Sequence, residues 1–408
     1  MGGGKFTTTA GLYFSQQKMN MYWDFLTYVQ DLAGGGNSAL VDVYTAGGAP
    51  VTQGGITSYA LGAAPTYHRR YDTKHRILAP YGSVNFHIGK IALGASLRYD
   101  TGRVRGQLFS VDLGEGRVGS AAIDMNGDGV IVPIETDVTI LPLGEPGPVH
   151  YNYHYLSYSV SANYRVADQF SVFGRYSRGA RAGADRLLFP PSQDAATGRL
   201  TDPSTAFGYV KQAEVGAKYR TDHLSVFVTG FWASTSDKNY QIAADETGQT
   251  VVIPINRSYS AKGIELEAEA RTGPFSLSLG ATYTKAKIGR DEADPAIEGN
   301  RPRHQPDLFF YARPQFETER FTVGTSINGT TSSFAQDSNL LKQPGYVIFS
   351  PFVQIRPNGR MQIALNAFNV FDKMAFVQVG APVVPASGIV NAQVLNGRTV
   401  TASVRVSF

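Results

Sequence analysis

The sequence predicts an all-β protein whose strands form an antiparallel transmembrane β-barrel. Three observations predict it. Apolar residues recur at every second position, not at the 3.6-residue period of a helix. The alternating runs are about 10 to 14 residues long. That is about twice the usual globular strand and matches a tilted bilayer crossing. Connections between runs are short and long by turns, the rhythm of an outer-membrane barrel. In hydrocarbon every backbone N–H and C=O must be paired, and strands achieve that only in a closed sheet.

About fourteen strands are expected: 5–14, 77–87, 90–102, 151–166, 168–178, 207–221, 223–235, 257–271, 274–287, 305–317, 320–331, 345–356, 361–372 and 397–408. The even count puts both ends on the periplasmic side. Along 90–102, Ile91, Leu93, Ala95, Leu97 and Tyr99 alternate with Ala92, Gly94, Ser96, Arg98 and Asp100. Leu156, Tyr158, Val160, Ala162 and Tyr164 alternate with Ser157, Ser159, Ser161, Asn163 and Arg165. Ile264, Leu266, Ala268 and Ala270 oppose Glu265, Glu267, Glu269 and Arg271. Phe275, Leu277, Leu279, Ala281 and Tyr283 oppose Ser276, Ser278, Gly280 and Thr282. The chain closes on Val400, Ala402, Val404, Val406 and Phe408. Apolar faces should meet lipid, and polar faces a wet lumen. Short turns are expected at 87–90, 165–169, 219–223, 271–274, 317–320 and 356–360. Long extracellular loops are expected at about 15–76, 103–150, 179–206, 236–256, 288–305, 332–344 and 373–396, with a short helix over Met21 to Leu32.

Composition agrees and excludes other classes. Charged residues are 17% of 408, against roughly 25% in average domains. No run of about 18 apolar residues could cross a bilayer as a helix. The 42% hydrophobic content argues against disorder. Without cysteine there are no disulfides, thiol nucleophiles or Cys–zinc sites. The net charge of +4 is dispersed, so nucleic acid is not an expected partner. A soluble sandwich or propeller would carry shorter strands and more frequent turns. Enzyme motifs are absent: there is no G-x-S-x-G and no phosphate-binding G-x-x-x-x-G-K-[ST]. His150 and His154 lie about 13 Å apart on one strand face, too far to share a metal. The start at Met1 has no secretory signal pattern, and a piece of a longer chain is the expectation.

Six segments resemble the C-terminal part of TonB-dependent outer-membrane receptors. They are Tyr176-Ser-Arg-Gly-Ala-Arg-Ala182, Lys211-Gln-Ala-Glu-Val-Gly-Ala-Lys-Tyr219, Gly263-Ile-Glu-Leu-Glu267, Asn300-Arg-Pro-Arg-His-Gln-Pro306, Asn369-Val-Phe-Asp-Lys373 and Gly397 to Phe408. Singly each is weak; their order and spacing make the resemblance. It implies the C-terminal part of a 22-stranded barrel in the bacterial outer membrane. It implies a small-molecule ligand such as a ferric siderophore, and membrane insertion by the barrel-assembly machinery. The family's N-terminal plug and energy-coupling segment are not recognisable here. Coupling to the TonB complex would therefore need a plug from elsewhere. A passive diffusion channel of about fourteen strands stays open as the alternative, as does a non-transport surface role.

Four features carry candidate chemistry. The terminal strand, ending on Phe408, resembles an assembly signal, although any lipid-facing strand alternates this way. Asp124-Met-Asn-Gly-Asp-Gly-Val-Ile-Val-Pro-Ile-Glu135 fits the loop pattern D-x-[DN]-x-[DN]-G-x5-E. Asp124, Asn126, Asp128 and Glu135 would give side-chain oxygens and Val130 its carbonyl to a structural Ca²⁺. A metal-free polar turn is the plainer reading. Alternation turns Arg98, Arg165, Arg175, Arg220, Arg271, Arg313, Arg356 and Arg405 inward, with Asp100, Glu214, Glu265, Glu267 and Glu269. They form either a polar path biased toward anionic solutes, or a self-neutralising ladder of cross-strand pairs or contacts to a plug. Aromatics of the first long loop, Tyr22, Trp23, Phe25, Tyr28, Tyr44, Tyr59, Tyr67 and Tyr71, either grip a ligand or pack the loop.

Overall fold

The computed structural model describes residues 4–25, 30–31, 39–40, 42, 44, 48, 67–110, 119–122, 129–131, 136, 138–140, 147–183, 193–194, 196–244, 250–379 and 392–407. Fourteen strands join in one antiparallel sheet, each paired with its neighbours in sequence. They are β1 (Lys5–Phe25), β2 (Tyr67–Ile88), β3 (Ile91–Ser110), β4 (Gly147–Ala167) and β5 (Phe170–Ala182). Next come β6 (Phe207–Arg220), β7 (Leu224–Ala244), β8 (Thr250–Thr272) and β9 (Phe275–Asp291). The last are β10 (Leu308–Glu317), β11 (Phe321–Thr330), β12 (Tyr346–Asn358), β13 (Met361–Phe368) and β14 (Thr399–Val406). The up-and-down order is the wall of a β-barrel. No helix among the described residues is long and apolar enough to cross a membrane, which leaves crossing by strands open.

All fourteen expected strands are present, but the early ones run further. Strand β1 continues to Phe25 and β2 begins at Tyr67, so both take residues assigned to the first loop. The same holds at 103–110 and 147–150. The apolar alternation ends at this height. Outward positions Gln16, Lys18 and Asn20 are polar and carry no apolar alternation, yet their backbone stays paired with Arg76, Lys74 and Asp72. The helix expected over Met21 to Leu32 is corrected by the same pairing. Met21 to Phe25 belong to β1, and Gln30–Asp31 pair with Ala39–Leu40.

The tight turns fall where expected. Ile88 pairs with Ile91 across Gly89 and Lys90, and Gly89 takes a φ of 56°. A two-residue hairpin needs that left-handed geometry. Because side chains alternate, register fixes which face each row occupies. One row runs Leu97–Tyr158 on the outside, and the next runs Ser96–Ser159 on the inside. Outside, Leu12, Leu97, Val160, Val215, Ile264, Phe275 and Val404 are exposed apolar side chains. An exposed apolar face this extensive marks a surface that meets lipid or a partner.

The water-excluded volume lies on the inner face near the end that carries the long connections. Tyr71, Val104, Leu108, Val149, Tyr151 and Tyr153 are buried there with Leu200 and Ala206 from the 183–206 connection. That connection folds back on the wall: His150 N donates to Gly198 O at 2.7 Å. Where the tops of β8 and β9 meet the loops of the shorter strands β10–β14, a different structure forms. Asp291 accepts from Arg257, which also donates to Asp337 at 2.6 Å. Asp337 accepts from Arg303 N, and its carbonyl from Asn300. These contacts tie residues 291–307 to 332–344.

Candidate functional site

The inner wall carries the candidate chemistry, and register positions it. Tyr81, Arg98 and Ser157 share one inward row. Two residues along β3, Asp100 is almost fully buried and takes a bidentate grip from Arg98, with contacts of 2.7 to 3.0 Å. Arg98 also sits 4.8 Å from the Tyr13 ring centre. Above them, His75 Nε2 and the Tyr153 hydroxyl are 2.5 Å apart, and Tyr153 stacks on Tyr155 at 5.9 Å. A hollow of about 560 Å³ opens below this cluster, lined by Ser96, Arg98, Ser159, Arg175, Ser177 and Gln212 among others. Hydroxyls and guanidinium groups give it a wettable surface with donors for an anionic or oxygen-rich solute.

A second hollow of about 760 Å³ lies further along the inner wall, bounded by Asn163, Arg175, Glu214, Lys218, Glu265 and Glu267 among others. The Lys218 ammonium lies 4.8 Å from the Phe173 ring and 6.0 Å from that of Phe227. Glu265, Glu267 and Glu269 do not face cations directly. Their cross-strand partners are Thr229 and Thr282, Phe227 and Gly280, and Ser225 and Ser278. One row reads Arg220–Ser225–Glu269–Ser278–Arg313. Opposite charges there are two strands apart, about 10 Å at sheet spacing. Serine spacers keep the charges hydrated and available.

The predicted inward charges occupy the inner rows, and their fates differ. Arg98 is neutralised by Asp100. Arg356 bridges Glu317 at 3.2 Å and caps the Thr318 carbonyl at a hairpin end. For these two the self-neutralising reading holds. Arg175 stands opposite Glu214 in register without an ion pair. Of the predicted Ca²⁺ ligands, Asp124, Asn126, Asp128 and Glu135 lie outside the described residues. Val130 is described and exposed, beside Gly129 at a φ of 83°. No cluster of three or more metal-ligating side chains occurs among the described residues. Of the first-loop aromatics, Tyr71 is buried and its hydroxyl donates to Met21 Sδ at 2.8 Å, whereas Tyr44 is exposed. The side chains of Tyr22, Trp23, Phe25, Tyr28, Tyr59 and Tyr67 lie outside the described set, as does Phe408.

Alternation alone missed the inward aromatics. Tyr153 lies over Gly102, Phe173 over Gly216 and Tyr311 over Gly280 on the adjoining strand. A Cβ on Gly102 would come within 1.9 Å of the Tyr153 ring. Each glycine makes room for a ring to lie along the wall instead of projecting into the lumen. The signal was present as paired glycine and aromatic positions, but only register shows which pair. The Asn369 motif also gains a mechanism. Its buried amide donates to the Lys373 and Asn396 carbonyls and accepts from Lys373 N, while Asp372 accepts from Arg398 N. The motif staples the end of β13 to the start of β14.

A comparison of the sequence with curated proteins finds no match. Solved structures share the fold. The ferric yersiniabactin uptake receptor FyuA from Yersinia pestis is 17% identical with a TM-score of 0.66, over 99% of this chain and 51% of that one. The ferric-catecholate import receptor Fiu from K12 E. coli, closed form, is 15% identical with a TM-score of 0.66, over 99% and 52%. The siderophore receptor PiuA from Acinetobacter baumannii is 15% identical with a TM-score of 0.64, over 99% and 53%. This chain spans about half the length of these structures. The family model described as TonB dependent receptor-like, beta-barrel, matches residues 3–370. The chain thus belongs to the TonB-dependent receptors, as a portion of their outer-membrane barrel.

Proposed function

We propose that this chain forms the barrel part of an outer-membrane receptor that imports a scarce nutrient, a ferric siderophore being the favoured class. One observation carries the reading: the opposition of faces. An apolar outside suits lipid, and a charged, hydroxyl-rich inside suits a hydrated solute or a polar plug. The neighbouring structures that import iron chelates support the choice of substrate class. Ligand would enter past the extracellular loops, meet the Arg98 and Arg175 surface, and move on as energy supplied through the TonB complex displaces a plug. The barrel-assembly machinery would insert the wall, with β14 as the strand it reads. A passive channel is the second reading, favoured by the unneutralised Glu265–Glu269 ladder.

Two measurements separate them. Purified chain in detergent, titrated with ferric catecholate, hydroxamate and citrate complexes, should saturate with one class and weaken in Arg175→Ala. Steady, unsaturating current across a planar bilayer, with no complex bound, would favour the passive channel. We also propose that the Asp124–Glu135 loop holds a structural Ca²⁺, on the strength of its ligand spacing. Calorimetry with Ca²⁺ should give heat for the wild type and none for Asp128→Ala. Flat traces for both would remove the metal.

A further inference from the structure

The outer face also carries charge, and its placement is uneven. On β2 the outward positions Ile88, Phe86, Val84, Gly82, Pro80 and Leu78 make an apolar or small strip. It spans ten residue steps, about 33 Å along the strand and about 25 Å of height at a tilt near 40°, the height of a barrel's lipid band. The next outward row is Gln16–Arg76–Arg103–Asn152. The row above is Lys18–Lys74–Arg105–His150. Five lysines and arginines therefore adjoin directly above the band on three neighbouring strands, β1 to β3. The one acid in the following row, Asp72, sits 3.9 Å from Lys18. Among the described residues, Lys74, Arg76, Arg103 and Arg105 have no acidic partner within ion-pair distance.

Like charges side by side on a sheet are destabilising unless something neutralises them. Beyond Asp72, Asp100 on the same strands points inward and is used by Arg98. Arg105 is held in place: it donates to the Val104 and Tyr151 carbonyls and to Asn152 Oδ1 at 2.7 to 2.9 Å. Arg76 is steadied by Gln16 Oε1 at 2.8 Å. Arg76 is exposed and Arg105 half-buried on the outer face, and a guanidinium group matches phosphate geometry. The height where the band ends is where headgroups of the outer leaflet lie.

We propose that the Lys18, Lys74, Arg76, Arg103 and Arg105 patch binds an anionic, phosphate-bearing lipid headgroup of the outer leaflet. The inference rests on the reading of this sheet as an outer-membrane barrel, with β1–β4 extending above the bilayer. The lipid's acyl chains lie along Leu12, Leu78 and Leu97, and its phosphates neutralise the two cationic rows.

The test uses the full chain in vesicles of phosphatidylcholine, alone or mixed with a bisphosphorylated glucosamine lipid. Tryptophan emission, with Trp232 on the outer face of β7, reports insertion in both. Native mass spectrometry of the released protein then counts retained lipid. The wild type should retain the bisphosphorylated lipid. Lys74→Gln/Arg103→Gln/Arg105→Gln should bind it roughly a hundredfold more weakly, at about fivefold per cation. Lys90→Gln/Arg320→Gln, at the opposite turns, should bind as the wild type does. Equal retention by the triple variant overturns the patch. Displacement by inorganic phosphate alone makes it a free-anion site and overturns the lipid assignment. Unshifted emission in both vesicles overturns the membrane reading and the inference with it.

Discussion

The two parts of the wall cross the same thickness and then diverge. Strands β1–β9 are 13 to 23 residues long, and β10–β14 are 8 to 13. In the tall part the backbone ladder continues above the lipid band, so each added residue pair satisfies its own N–H and C=O. In the short part the ladder stops near the band, and the chain leaves as loops. Those loops need other partners for their polar groups, and find them in Arg257, Asp291, Asp337, Asn339 and Asn369. Backbone pairing spreads stability over many bonds. Side-chain knots concentrate it in a few residues, so single substitutions should be far more damaging over the short strands.

The largest effect is expected at Asp291. Its side chain is buried against Arg257, itself only 16% exposed, and accepts from Ala293 N and Asp294 N. Asp291→Ala leaves a buried guanidinium short of a partner and should cost about 3–5 kcal/mol. Hydrogen exchange over 291–307 should accelerate accordingly. Arg76→Ala, on the exposed tall wall, should stay within about 0.5 kcal/mol. Equal effects at the two positions would break the comparison. Asn369→Ala comes next, at about 2–4 kcal/mol. It loses three hydrogen bonds, worth about 1 kcal/mol each, and puts alanine at a φ of 50°, which the short polar side chain of asparagine tolerates better. Thermal denaturation in detergent would measure it, and Asn369→Gly should recover the backbone share alone.

Within the tall part, packing rather than polar contact is the sensitive element. Gly102→Ala would drive the Tyr153 ring off the wall and away from His75, at about 1–3 kcal/mol. Adding Tyr153→Ala should return part of that loss, with a coupling of about 0.5–3 kcal/mol in the double-mutant cycle. Strict additivity would mean that the ring does not depend on the glycine.

The difference between the two parts also explains what the sequence could be made to say. A sheet with one apolar and one polar face imposes alternation, so Leu93, Leu97, Val160 and Ile264 could be read at once, and so could the inward Arg and Glu opposite them. Above the band water touches the outer face, the alternation loses contrast, and the tops of β1 and β2 passed for loop. Inward rings such as Tyr153 and Tyr311 needed cross-strand register to find their glycines. Contacts such as Arg257 to Asp337, separated by 80 positions, leave no local signature at all. Asn369 was visible as a motif, but its task depends on Asn396, which arrives after a loop.

Apart from the Arg76 reference, the smallest effect lies where the tall part is covered, at the turn that folds back over the inner aromatic cluster. Asp202 caps the short 3-10 turn Pro203–Ala206, accepting from Ser204 N at 2.8 Å and from its hydroxyl at 2.6 Å. The Ser204 bonds, aided by Lys238, hold the Asp202 carboxyl below the usual carboxylate range. A carboxylate whose folded value is depressed adds stability above its unfolded value, near 3.9, and loses it as pH falls through the folded one. Asp202→Ala should therefore cost about 1 kcal/mol at neutral pH. Its side chain is half exposed, so the Lys238 ion pair adds little to that. The gap between variant and wild type should close as the pH drops below about 4. Local exchange at Ala206 and Phe207, measured against pH in both proteins, would show it. A gap that persists in acid would assign the effect to the backbone of the turn instead of the carboxylate. The covering turn would then resemble the knots of the short part only in position, with its order set by the Pro203 ring and the buried Ala206 rather than by charge.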